Sequence, residues 1–147
     1  MNYYAILQEL AKEYPKIPMP NLVATKDKNC SGFYQRPDKQ KILCCGDFWK
    51  ENKYGTIFIN DKYWWLYKCR IENTIAHEYM HHIQHHESRN SDETAGWNKK
   101  IWVPYKYKII KFFKHENELE ALLYSNKKYP SKSSLKWEKW VRKNANI

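Results

Sequence analysis

The sequence predicts an α+β fold, in which a small, mostly antiparallel sheet of three or four strands packs with helices. Three observations favour this fold. Apolar residues follow the helical period near the start of the chain and again from about Arg70. Between these regions lie short runs rich in β-branched and aromatic residues, which are typical of strands. A chain of 147 residues with 42% hydrophobic composition suits a single domain, residues 1–147.

The first helix is predicted over residues 2–14. Ile6, Leu7 and Leu10 fall on one face of it, and Asn2 can cap its first turn. Three prolines follow between positions 15 and 20. Because proline lacks an N–H and fixes its backbone, we expect the helix to end there and the chain to continue extended.

Strands are predicted where β-branched and aromatic residues are bounded by polar residues or glycine: residues 21–25, 41–45 and 55–60. Residues 63–67 are aromatic-rich and form either another strand or the approach to a helix. The polar segment 26–40, which contains Gly32 and Pro37, is predicted to be a loop or an irregular hairpin.

The second half of the chain is predicted to be largely helical. An apolar stripe recurs every four residues at Ile71, Ile75, Tyr79 and Ile83. Residues 88–98 are rich in Ser, Asn and Asp and are predicted to be a loop. Residues 106–125 are expected to be helical at least in their second half, and a last, basic helix is expected within 131–145.

The net charge of +10 is concentrated at the end of the chain. Residues 1–98 carry 13 Lys+Arg and 12 Asp+Glu, a balance of +1, whereas residues 99–147 carry 13 and 4, a balance of +9. A basic segment can meet nucleic acid, an anionic membrane or an acidic partner, but a Lys-rich solvated surface is the favoured interpretation. No apolar run is long enough for a membrane span, and no signal peptide is seen, so a cytoplasmic protein is expected. The sequence predicts no particular oligomeric state.

The four cysteines, Cys30, Cys44, Cys45 and Cys69, form no C-x-x-C pair, which argues against a four-cysteine zinc site. Adjacent cysteines such as Cys44 and Cys45 do not readily bridge each other. For a cytoplasmic protein the expected state is reduced, although one or two disulfides remain an alternative.

The sharpest motif is H-E-x-x-H, at His77, Glu78 and His81. In a helix, residues i and i+4 lie one turn apart, so both histidines can reach one zinc ion, while Glu78 can take a proton from water and pass it to a leaving amine. A chain of this composition would contain the motif by chance only about 0.02 times. The alternative is a His-rich solvated helix. The histidines that follow are interpreted as surface or cleft residues: His82, His85 and His86.

A catalytic zinc site needs a third protein ligand. The metzincin pattern is excluded, because position 87 is Glu rather than His and position 84 is Gln rather than Gly. The remaining candidates are Glu116, Glu118 and Glu120 on a later helix. Positions 116 and 120 share one face and 118 points elsewhere, and the apolar residues around them do not decide which face meets the ion.

The H-E-x-x-H motif followed by Asn117-Glu118-Leu119-Glu120-Ala121, which fits N-E-x-x-A, resembles the gluzincin zinc metallopeptidases in a minimal single-domain form. The resemblance covers a core of about residues 54–125. It implies one zinc per chain, bound by His77, His81 and Glu118, with the small Ala121 allowing the two helices to approach closely. It also implies that strand 55–60 is an edge strand that aligns an extended peptide.

The chain departs from that family at Leu122, where many relatives carry an acid that supports a zinc-binding histidine. Glu120 or Glu116 is a candidate for this supporting role. The candidates for a further hydrogen-bond donor that stabilises the transition state are Tyr105, Tyr107, Tyr124 and His115.

The expected function is zinc-dependent hydrolysis of a peptide or protein substrate, with Glu78 as general base and then general acid. The alternative is an inactive zinc-binding domain of the same type that binds nucleic acid or a partner through its basic C-terminal third. A further alternative is a latent enzyme whose C-terminal segment covers its own cleft.

Overall fold

Four helices and seven strands make up the part of the chain that the computed structural model describes, residues 2–25, 31–44, 48–62, 68–87, 101–105, 108–112 and 115–144. In chain order they are α1 (Tyr3–Ala11), β1 (Asn21–Thr25), β2 (Gly32–Gln35), β3 (Lys41–Cys44), β4 (Phe48–Glu51), β5 (Thr56–Asn60), α2 (Lys68–His86), β6 (Ile101–Tyr105), β7 (Lys108–Phe112), α3 (His115–Lys128) and α4 (Lys132–Asn144). The predicted α+β class is confirmed.

The main sheet has three strands in the order β1-β5-β2. The central strand β5 runs parallel to β1 and antiparallel to β2. The other described pairs, β3-β4 and β6-β7, are antiparallel hairpins. The expectation that strand 55–60 is an edge strand is therefore wrong, because β1 and β2 occupy both of its edges. Both β1 and β2 are edge strands of this sheet, and β2 lies within the segment predicted to be a loop or irregular hairpin.

The core lies between this sheet, α1 and α2. Ile57 and Ile59 alternate along β5 with the half-buried Phe58, which stacks on Phe33 of β2 at 4.4 Å between ring centroids. Side chains alternate across a strand, so the two isoleucines face the core and the phenylalanine pair lies on the opposite face. The predicted stripe on α2 is confirmed as buried: Ile71, Ile75, Tyr79 and Ile83, with Leu7 and Leu10 of α1 in the same cluster.

His82 is completely buried, so its interpretation as a surface or cleft residue is wrong. Its Nε2 lies 2.7 Å from the carbonyl oxygen of Pro18, and its Nδ1 lies 2.9 Å from the hydroxyl of Tyr34. Since a carbonyl oxygen can only accept, Nε2–H donates to Pro18 and Nδ1 accepts from Tyr34. Position 82 lies three residues after Tyr79, beside the apolar stripe, so the helix carries it into the core with both ring nitrogens satisfied.

Several boundaries differ from the expectation. Helix α1 is capped by Asn2, which accepts from the Ala5 N–H at 3.1 Å, but it ends at Ala11 in a turn before Pro15. The first half of segment 106–125 contains strand β7, and β4 and β6 were not expected. The predictions for residues 63–67 and 88–98 fall outside the described residues.

Cys69 is an exposed free thiol at the start of α2. Cys30 and Cys45 lie outside the described residues, and Cys44 ends strand β3. No helix in the described ranges has the length and hydropathy to cross a bilayer.

A buried polar network fixes α4 against α2 and α3. The amide nitrogen of Asn73 donates to Asn126 Oδ1 at 3.0 Å and to the Tyr129 carbonyl at 2.8 Å. The amide nitrogen of Asn126 in turn donates to Glu138 at 2.9 Å. Because buried amides are costly to leave unpaired, this network holds the last helix in one position, as expected for a packed helix rather than a detached basic arm.

The burial of His82 predicts a specific loss of stability in acid. Burial, aided by the nearby His86 and His85, lowers the pKa of His82 to about 3. Below pH 6.5 the unfolded chain binds a proton at this position that the folded chain does not. The free energy of unfolding therefore decreases as the pH is lowered. His82→Gln, which can keep both hydrogen bonds but does not titrate, should lack this dependence.

Lowering the pH from 7 to 5 should reduce the free energy of unfolding of the wild type by ~2 kcal/mol more than that of His82→Gln. Urea unfolding at these two pH values measures it. Parallel pH dependences for the two proteins would show that His82 takes up its proton in the folded state.

Candidate metal site

Three metal-ligating groups converge where α2 meets α3. Nε2 of His77 lies 3.1 Å from one carboxylate oxygen of Glu118, and Nε2 of His81 lies 3.2 Å from the other. One ligand atom from each of the three residues can be chosen so that all lie within 4.8 Å of one another. The structure thus brings together the three ligands that the motifs predicted.

The local sequence explains why these groups meet. His77 and His81 lie one turn apart on the face of α2 turned toward α3, away from the Ile71–Ile83 stripe. Around Glu118, the side chains of α3 that pack against the domain are Leu119, Ala121 and Leu122, all buried. Ala121 belongs to the same core cluster as the α2 stripe, so the helices approach closely at this point. The face that carries Glu118 is therefore the one that meets the histidines.

The donor set can hold a divalent metal ion. Zinc takes imidazole nitrogen and carboxylate oxygen at ~2.0–2.2 Å, and tetrahedral geometry then places ligand atoms ~3.3 Å apart. Each of the two His–Glu separations, one to each carboxylate oxygen, is close to this spacing. Within the described part of the chain the group supplies three protein ligands, and a site with three protein ligands keeps a fourth position for water or substrate.

Charge stabilises the cluster. Burial alone would raise the pKa of Glu118, but the charge of His77 and hydrogen bonds from His77 and His81 outweigh it and lower the pKa below its usual range. Burial likewise acts to lower the pKa of His81, yet its hydrogen bond to Glu118 and the charges of Glu78 and Glu118 raise this pKa to about 9. Glu118 is therefore ionised, and its negative charge is balanced by the imidazoles of α2.

The sequence did not identify Gln84 as a residue of this site. Gln84 is completely buried, its Oε1 lies 2.8 Å from His81 Nδ1, and its Nε2 donates to Glu120 Oε1 at 2.8 Å. An ionised carboxylate only accepts, so the amide nitrogen faces Glu120 and the amide oxygen accepts from Nδ1–H of His81. His81 Nε2 is then oriented toward Glu118 and the metal position.

Glu120 thus reaches His81 through Gln84 rather than directly, which corrects the expected supporting role. The sequence feature that could have indicated the contact of Gln84 with His81 is its position, one turn beyond His81 on the same helix. The side chain of Glu116 lies outside the described part of the chain.

The catalytic candidate Glu78 is buried and lines a cavity together with His77 and Glu118. Among the proposed donors, Tyr124 packs against the core cluster near Tyr14 and Tyr79 and does not line this cavity. The side chains of Tyr105, Tyr107 and His115 lie outside the described residues. The described cavity therefore assigns none of these four residues to the site.

The Gln84 relay predicts how metal affinity responds to two changes. Gln84→Met keeps the volume but removes the acceptor for His81, so affinity should fall ~10–100-fold. Exchanging the partners, Gln84→Glu with Glu120→Gln, keeps an acceptor toward His81 and a donor between the helices, so affinity should stay within a few-fold of the wild type.

Competition with a chelator, using Zn²⁺ as the probe, measures these affinities. Gln8→Met on the exposed face of α1 is the control. Wild-type affinity in Gln84→Met, or a loss in the exchanged pair as large as in Gln84→Met, would contradict the relay.

Comparisons with protein-family models, with curated proteins and with solved structures find no match to this chain. Support for a function comes from the residues and the geometry of the site.

Proposed function

We propose that this protein is a zinc-dependent peptidase that hydrolyses a peptide bond with a metal-activated water. The observation that carries the proposal is the convergence of His77, His81 and Glu118 from two helices, with the carboxylate of Glu78 lining the cavity beside them. A structural metal site closes with four protein ligands. Among the residues that the structure describes, this group supplies three ligands and adjoins a cavity of ≈ 220 Å³. Zinc is the proposed metal because it binds imidazole nitrogen and carboxylate oxygen.

Glu78 is the proposed general base and then general acid. Its carboxylate lies on the same helix as both histidines, one residue after His77, and faces the cavity rather than bulk water. There it can accept a proton from the attacking water and deliver it to the amine that leaves. When bound, zinc would supply Lewis acidity at the carbonyl and lower the pKa of a bound water.

Strand β2 is the proposed track for an extended substrate. The Asn60 N–H donates to the Ser31 carbonyl at 2.8 Å, so in this antiparallel pair residues 31 and 33 face β5 while Gly32 and Tyr34 turn their main-chain groups outward. In the described part of the chain, no strand pairs with that outer edge. A substrate backbone can therefore add to β2 beside the site.

Gly32 allows this strand to lie directly against α2. A Cβ at position 32 would lie 2.6 Å from Thr74 Cγ2, 2.6 Å from the Phe58 carbonyl oxygen and 3.7 Å from Glu78 Cγ. The first two distances are too short for any side chain, so only glycine lets the main chain of β2 lie this close to Thr74, with Glu78 at van der Waals distance. This brings a peptide paired with β2 next to the proposed base.

The role of Glu78 predicts a separation of activity from metal binding. Glu78→Gln is nearly isosteric but cannot take a proton, so hydrolysis should fall at least ~100-fold while the metal stays bound. Glu72→Gln makes the same charge change on the same helix outside the cavity, and its activity should remain near that of the wild type.

Cleavage of casein and of a fluorogenic peptide pool, with zinc content measured in parallel, tests this prediction. Glu78→Gln protein that cleaves as fast as the wild type would overturn the assignment of the base. Wild-type protein that holds zinc but cleaves nothing would favour the inactive zinc-binding alternative.

A further inference from the structure

The cavity beside the metal ligands extends away from them along α2 and reaches α4. From the His77 and Glu118 end it passes Asn73 and Thr74 to Arg70, and its far wall is formed by Ser131 and Ser134 at the start of α4. Arg70 and His77 are seven residues apart on one face of the helix, which separates them by about 10 Å along the axis. The metal ligands and the arginine thus stand at opposite ends of one groove.

Polar and apolar groups share the wall of this groove. Away from the metal it carries hydroxyl, amide and guanidinium groups, and the apolar side chains that line it are Leu122 and Trp137. Among the lining residues that the structure describes, the acidic ones are Glu78 and Glu118, both at the metal end. With zinc bound, the charge of the ion offsets these two carboxylates, and Arg70 attracts an anionic group on a ligand to the other end of the groove.

Two features of α4 also favour an anion in this groove. The helix has 13 residues, and its first N–H groups lack carbonyl partners within the helix and carry the positive end of its dipole. Ser131 Oγ caps it by accepting from the Ser134 N–H at 3.3 Å. Independently, Ser134 lines the groove and is only 8% exposed, and its hydroxyl has no hydrogen-bond partner among the described residues. A buried unpaired hydroxyl is costly unless a ligand satisfies it.

Hydrogen bonds to Ser31 hold the side chain of Arg70 at the groove. Its Nε and Nη2 both donate to Ser31 Oγ, at 3.2 and 2.5 Å, which ties the guanidinium to the residue before Gly32 of β2. A guanidinium has five N–H donors in a rigid fork that matches a carboxylate. The cation therefore stands at the end of the strand proposed to align the substrate.

We propose that this groove binds a carboxylate of the substrate, so that the enzyme selects peptides with an acidic group two or three residues beyond the scissile bond. The proposal rests on the proposed peptidase function and names its substrate class. An extended chain advances ~3.3–3.6 Å per residue, so about three residues span the distance to Arg70. A C-terminal carboxylate at the end of that span, or an Asp or Glu side chain at the second residue, therefore reaches toward Arg70. The chemistry is the same for the two sources.

Binding to the zinc-loaded wild-type protein tests the proposal without turnover. Three peptide hydroxamates, which anchor on zinc, are compared by calorimetry: one with Glu and an amidated C-terminus, one with Gln and a free C-terminus, and one with Gln and an amidated C-terminus. We expect at least one acidic compound to bind ~10-fold or more tightly than the neutral one, as a charged hydrogen bond would provide. The tighter of the two acidic compounds identifies the source of the carboxylate.

Arg70→Gln should abolish this preference, while Lys68→Gln is the control. Lys68 is exposed in the same first turn of α2, lies outside the groove, and its replacement changes the net charge equally. Equal binding of all three compounds, or a preference that survives in Arg70→Gln, would overturn the carboxylate site while leaving the peptidase assignment intact. Failure of every hydroxamate to bind would instead overturn the zinc site on which both proposals stand.

Discussion

The buried carboxylate of Glu118 sets the constraint on which the site depends. An ionised carboxylate that leaves water loses several kcal/mol of solvation unless charge and hydrogen bonds replace it. Here the replacement comes from His77 and His81, at 3.1 and 3.2 Å, on a different helix. Helices α2 and α3 can therefore dock well in one register only, the one that places Glu118 opposite both imidazoles. Ala121 makes that register sterically possible, and Gln84 with Glu120 forms a second polar link between the same helices.

Helix α2 serves the fold and the site with different faces. Its apolar stripe and His82 secure it to the sheet, to α1 and to the chain near Pro18, while His77, Glu78 and His81 face α3 and the groove. A rigid element fixed on one side positions side chains on its other side more accurately than a loop does. The network that starts at Asn73 extends this rigidity to α4, which forms a wall of the groove.

The sequence predicted those features that are local in the chain. Helical period and the i, i+4 spacing identified α2 and placed His77 and His81 on one side, and the stripe from Ile71 is buried as expected. Features that depend on tertiary neighbours were missed. The burial of His82 was not predicted because its partners, Tyr34 and Pro18, are distant in sequence. Strand β2 was hidden in a polar segment, since it is defined by pairing with β5 rather than by its own composition. The choice of Glu118 over Glu120 came from a family resemblance, because periodicity alone left both faces open.

The central claim is that His77, His81 and Glu118 bind one zinc ion per chain. X-ray absorption at the zinc edge on the 147-residue chain, after dialysis against a weak chelator, tests it most directly. The account predicts one zinc per chain with nitrogen and oxygen neighbours at ~2.0–2.2 Å, two of them imidazoles. Sulfur neighbours at ~2.3 Å, which would place the metal on cysteines, would contradict it, as would folded protein that retains no stoichiometric zinc.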